Sequence, residues 1–107
     1  MKHILSAAYF IIILFSIFVM VACHEEVHVA IFEAYGIDSE VDLFDTTDGW
    51  LHISATTTVT SDNAYLCNDS CALAHNINEA ISYVLIPAFM MLAFGLFFVI
   101  MALEELK

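Results

Sequence analysis

Two histidines and two glutamates fall within one five-residue stretch, His24-Glu25-Glu26-Val27-His28. On an α-helix, positions i and i+4 lie on one face, so both imidazoles can reach a single metal ion. Glu25 sits one residue round, where a carboxylate can take a proton from a metal-activated water. Imidazole and carboxylate donors suit zinc, whose catalytic sites hold three protein ligands and leave one position open. A second pair lies further along the chain. His75 and Glu79 are also i and i+4, and both are metal-ligand types.

These residues border two apolar runs. Ile4 to Cys23 is interrupted only by Ser6 and Ser16, and Ala80 to Leu103 contains Ser82, Pro87 and Gly95. The whole chain of 107 residues is 62% hydrophobic, against about 45–50% in soluble proteins. Each run reaches the ~20 residues a membrane-spanning helix needs. The expected fold is therefore a mainly α membrane protein, a two-span antiparallel helical hairpin with a small extramembrane β-hairpin between the spans. Residues 1–23 form the first transmembrane helix, and 24–36 its extramembrane continuation carrying the histidine pair. Val27, Ala30, Ile31 and Ala34 keep helical spacing, and Tyr35-Gly36 supplies a stop with Gly36 beyond the last helical turn. Residues 37–70 form an acidic β-hairpin and loop, with alternation over 40–60 and a turn at Asp48-Gly49. A short helical segment over 71–79 carries His75 and Glu79, 80–103 is the second transmembrane helix, and 104–107 is a tail.

An antiparallel hairpin makes a further geometric prediction. If the chain leaves the membrane near Ala22 and returns near Ile81, His24 stands level with Glu79 and His28 with His75. The expected site takes His24 and His28 as ligands to one zinc per chain, with Glu79 or His75 as the third. The remaining member of that pair orients a ligand. Water takes the open position, and Glu25 is the general base.

This constellation resembles the zincin metallopeptidases. The resemblance lies in His24-Glu25-x-x-His28, followed by Val29-Ala30-Ile31-Phe32 and then Tyr35-Gly36-Ile37. A helix that carries the motif on to Gly-Ile and then a strand is similar to the membrane-associated zinc proteases, including the site-2 protease and the FtsH-like group. The resemblance implies that His24 and His28 bind zinc, that Glu25 activates water and that a later acidic or histidine residue completes the site. It also implies a peptide substrate lying extended along a sheet edge, which the 40–60 hairpin can supply. Val27 stands where those membrane families usually have glycine, and Glu26 where they are usually uncharged.

Charge and cysteines add the surroundings. The formal net charge is -11, and the only basic residues are Lys2 and Lys107. With both lysines inside, both termini are cytoplasmic and the acidic central segment is extracytoplasmic. The absence of a basic patch argues against nucleic acid. The expected partners are the lipid bilayer, a second copy or another membrane protein, and a peptide substrate. Cys67 and Cys71 are the natural disulfide pair, leaving Cys23 over, and Asn68-Asp69-Ser70 between them is an N-glycosylation acceptor. Cys67, Cys71 and His75 also form C-x3-C-x3-H, a competing zinc reading that suffers if all three lie in one stripe of a straight helix. Met20-Val21-Ala22-Cys23 resembles a bacterial lipoprotein cleavage box, with methionine in place of the usual leucine. Trp50, Tyr35 and Tyr83 read as interfacial anchors and His52 as solvent-facing. Two other function classes stand beside the enzyme. One is a non-enzymatic membrane structural or interaction protein, such as a viral envelope component or a complex subunit. The other is a hairpin that binds metal without catalysis.

Overall fold

The computed structural model describes residues 3–45, 49 and 52–107. It is mainly helical, with two long helices separated in sequence by a two-stranded antiparallel sheet. The order is α1 (Ile4–Ala34), β1 (Ser39–Asp45), β2 (His52–Val59), a 3-10 turn (Ala64–Leu66) and α2 (Asp69–Glu105). Both helices are long and apolar enough to cross a membrane. The chain forms two compact units, Met1–Met20 with Tyr83–Lys107, and Val21–Ser82.

α1 continues without a break from the apolar run through the histidine pair, and Gly36 ends it. Gly36 adopts φ 75, a left-handed conformation that costs glycine little. Its N–H donates to the Glu33 carbonyl at 3.0 Å, and the Ile37 N–H donates to the Phe32 carbonyl at 3.0 Å. That pair of bonds is the Schellman arrangement, and it satisfies carbonyls that the helix end would leave unpaired. Ile37 is 1% exposed, so the chain turns inward as it leaves the helix. α2 starts at Asp69, two residues before the Cys71 expected from sequence, because Asn68 caps it. The Asn68 side-chain oxygen accepts from the Cys71 N–H at 3.0 Å.

In the first unit, Phe10 packs against Phe94 and Phe97, with ring centroids 6.5 and 5.6 Å apart. Ile13 and Ala93 are buried, but Phe15, Val84, Met91 and most other large apolar side chains are exposed. Exposed apolar side chains on helices of this length are compatible with a membrane location. Glu104 ties the two helices together in this unit. One of its oxygens accepts from the Leu5 and Ser6 N–H groups at 3.0 and 3.2 Å, and the other accepts from the Ser6 hydroxyl at 2.6 Å. A carboxylate from α2 thus satisfies amides that the start of α1 cannot pair for itself. Glu104→Ala should speed hydrogen exchange at the Leu5 and Ser6 amides relative to their neighbours. Unchanged exchange there would remove Glu104 from the capping role.

In the second unit the strands pair Ser39 with Val59 through Asp42 with Thr56, and then Phe44 with Ile53. The register therefore slips by one residue between Asp42 and Phe44, a bulge beside Ala55. Ala55, Thr57 and Val59 are half-buried and Ser54, Thr56 and Thr58 exposed, which is the alternation read from sequence. The Asp48-Gly49 turn and the Trp50 anchor fall on or next to residues outside those described, as does the His52 side chain. Asn63 donates to the Gly36 carbonyl at 2.6 Å and Thr60 N–H to the Asp38 carbonyl at 2.9 Å. Those bonds close the loop after β2 onto the end of α1.

Candidate metal centre

All the residues singled out for metal chemistry belong to the second unit. α1 presents His24 and His28 one helical turn apart, and α2 presents His75 and Glu79 in the same way. The level pairing expected of a hairpin holds. His24 Nε2 lies 3.1 Å from Glu79 Oε1, and His28 Nδ1 lies 2.6 Å from His75 Nδ1.

The two level pairs are not equivalent. His28 Nε2 also approaches Glu79 Oε1, at 2.7 Å. Two imidazole nitrogens therefore converge on one carboxylate oxygen, and the three donor atoms lie within 4.8 Å of one another. His75 stands beside His28 with its Nδ1 facing the His28 Nδ1, the rings stacked 4.9 Å apart at 23° and Phe32 packed 4.3 Å from the His75 ring.

Hydrogen-bond accounting at His24 constrains its proton. His24 Nδ1 contacts the Ser82 hydroxyl, and that hydroxyl also lies 3.0 Å from the Asn78 carbonyl. A serine hydroxyl has one proton to give. If it donates to Asn78, it accepts from His24 Nδ1–H, and every group is satisfied. A neutral His24 then carries a bare lone pair at Nε2, facing the Glu79 carboxylate. That arrangement calls for a cation between them, either a proton or a metal ion. Asn78 further donates its side-chain amide to the His24 carbonyl at 3.2 Å, which fixes the two helices in register.

Glu25 lies beside this point. Its Oε1 is 3.9 Å from His24 Nε2, and its Oε2 accepts from the Thr57 hydroxyl at 2.6 Å. Thr57 comes from β2, so the hairpin positions the carboxylate that the sequence motif supplies. Glu25, His28, Phe32, Ala55, Thr57, His75 and Glu79 line an open groove of about 370 Å³. Charge is distributed to match. The Glu79 carboxyl is held below the ordinary carboxylate range, first by the hydrogen bond from His28 and further by His24, against a desolvation cost. Burial lowers the His75 pKa, the neighbouring His28 lowers it further, and Glu79 opposes them. Both shifts favour an ionised Glu79 and a neutral His75.

Sequence reasoning did not identify Thr57, Ser82 or Asn78. Ser82 was legible in principle, since it follows His75 and Glu79 at helical spacing on the same face of α2. Thr57 was not, because its partner is 32 residues away.

Cys67 and Cys71 are joined by a disulfide, with Cα atoms 5.1 Å apart, and Cys23 is a free, exposed thiol. A histidine nitrogen of His75 also lies within 4.8 Å of both sulfurs. No protein-family model, curated protein or solved structure matches this chain. The residues and their geometry are therefore the basis for a functional reading.

Proposed function

We propose that this protein is a small membrane-anchored zinc hydrolase of metallopeptidase type, cleaving peptide bonds at a membrane surface. The observation that carries the reading is the meeting of His24 Nε2 and His28 Nε2 on one Glu79 oxygen, at 3.1 and 2.7 Å. Two imidazoles and a carboxylate are the donor set of a zinc site with an open position. In this reading Glu79 is the third ligand and His75 the residue that orients His28. A closed four-ligand site is disfavoured, since His75 offers its Nδ1 to the His28 ring and not to the Glu79 oxygen.

A zinc ion held by these donors supplies Lewis acidity, polarising a carbonyl and lowering the pKa of water toward about 7. The chain's own residues do the rest. Glu25 takes the proton of the attacking water and returns it to the departing amine. Thr57 holds one Glu25 oxygen, so the other is the one left for the proton. In the tautomers a bound metal would require, His28 donates through Nδ1 to His75 and His24 through Nδ1 to Ser82, which leaves both Nε2 atoms bare. The open groove beside β2 is a place for an extended peptide.

The membrane assignment rests on the two apolar helices and on the exposed apolar surface of the first unit. In this reading residues 4–23 and 80–103 span the bilayer and both termini are cytoplasmic. The disulfide agrees with an oxidising compartment for the central segment.

Metal content of the detergent-purified chain tests the proposal. About one zinc per wild-type chain is expected, and none in the His24→Ala/His28→Ala double variant. A wild-type chain that takes up no zinc when it is supplied would leave a non-enzymatic membrane protein as the better reading.

A further inference from the structure

His75 serves the His24–His28–Glu79 cluster through one nitrogen only. Its Nδ1 is engaged by His28 at 2.6 Å, while its Nε2 is buried with no hydrogen-bond partner. Buried ring nitrogens are seldom left unpaired, and an orphan of this kind marks an unused binding capacity. The sulfurs of Cys67 and Cys71 lie beside the same ring, both sulfurs and one ring nitrogen of His75 lying within 4.8 Å of one another. Zinc bound by two thiolates and an imidazole would set such donors about 3.5–3.8 Å apart.

The objection raised by spacing does not hold in the folded chain. Cys67 precedes α2, follows the 3-10 turn and has an extended ψ of 93, so it does not lie in the stripe of Cys71 and His75. Cys71 is fully buried, and Cys67 and His75 are half-buried. The disulfide is the one thing that keeps these donors from a metal, because a bridged sulfur has no thiolate to offer.

We propose that reduction of Cys67–Cys71 creates a second metal site, formed by the two thiolates and His75 Nε2, for zinc or another thiophilic divalent cation. We further infer that filling it silences the His24–His28–Glu79 site, a consequence that rests on the function proposed above. A dithiol reductant supplies two electrons and two protons. It is oxidised to its own disulfide as the Cys67–Cys71 sulfur–sulfur bond breaks and two thiols form. Metal binding then releases the two thiol protons.

The silencing follows from proton positions at constant protonation. One proton lies in the His28–His75 bond, between the two Nδ1 atoms. With both rings neutral, a single proton remains for the two Nε2 atoms. When it sits on His75, His28 Nε2 is bare and can bind a metal beside Glu79. When His75 Nε2 binds a metal, the proton moves to His28 Nε2, which loses its lone pair. Two neutral imidazoles joined in this way offer one metal-binding Nε2 between them.

Cobalt(II) is the probe, used with the full chain in detergent and with Cys23→Ser to leave one thiol pair. The oxidised chain should show cobalt absorption without a thiolate-to-cobalt charge-transfer band. After reduction by a phosphine, that band should appear and saturate at about one cobalt per chain. In His75→Ala the affinity read from the band should fall about 10-fold or more, with the thiol count unchanged. Two titratable thiols without a thiolate–cobalt band would overturn the second site. Unchanged affinity in His75→Ala would overturn the role of its nitrogen. At one equivalent of cobalt, the first signal should disappear as the band grows, and simultaneous saturation at two cobalt per chain would overturn the exclusion. An oxidised chain that takes up no cobalt would overturn the exclusion together with the proposed hydrolase site. The thiolate band after reduction decides the second site separately.

Discussion

Glu25→Gln should lower peptide hydrolysis about 10³-fold while the chain keeps its zinc, within the ~10²–10⁴ typical of a lost general base. Glutamine preserves the shape of the side chain and can still accept from Thr57, which now lies 2.6 Å from Glu25 Oε2. It cannot take a proton from water. The variant therefore separates chemistry from metal binding, because Glu25 is not among the three convergent donors. Turnover of a defined peptide library, read by mass spectrometry, and zinc content should be measured on the same preparations. Equal turnover in wild type and variant would remove Glu25 from the reaction. Loss of zinc in the variant would instead recast Glu25 as part of the ligand set.

Glu79→Ala should weaken zinc binding about 100-fold in chelator competition. Structural zinc sites with four ligands have apparent free energies of about 10–16 kcal/mol, or roughly 3 kcal/mol per ligand, and ~1.4 kcal/mol is tenfold in affinity. Both His24 and His28 point their Nε2 atoms at the oxygen this substitution removes. His75→Ala should cost less, about 10-fold, since His75 acts by holding the His28 ring. The order of the two effects is the informative result. If His75→Ala proves the more damaging, His75 is the third ligand and Glu79 the supporting group.

Three elements meet at the candidate site. The two helices contribute the candidate donors in pairs one turn apart, and β2 contributes the hydroxyl that holds Glu25. The bulge between Asp42 and Phe44 falls where Ala55 meets the groove, a location where bulges commonly re-aim a strand at a site. Burial and the neighbouring His28 favour a neutral His75, and the hydrogen bond from His28 favours an ionised Glu79 against the cost of desolvation.

Local spacing by itself determined a large part of this protein. The apolar runs set the two long helices, Gly36 set the end of α1, and alternation in Ser54 to Thr60 set the half-buried face of β2. These are readable because each depends on contacts within a few residues, or on a period the backbone imposes. Even the meeting of His24 with Glu79 and His28 with His75 was legible, since two antiparallel helices of equal rise must bring level residues together. The start of α2 at Asp69 was missed because an asparagine side chain, and not a periodic apolar residue, begins that helix. Only the tertiary structure decided which member of the His75/Glu79 pair joins the two Nε2 atoms. Spacing puts a side chain on a face, but the choice of ring nitrogen depends on rotamers and on partners such as Ser82. It likewise decided that Thr57 holds Glu25 and that Cys67 stands off the α2 stripe, because both depend on where a loop and a strand come to rest against a helix.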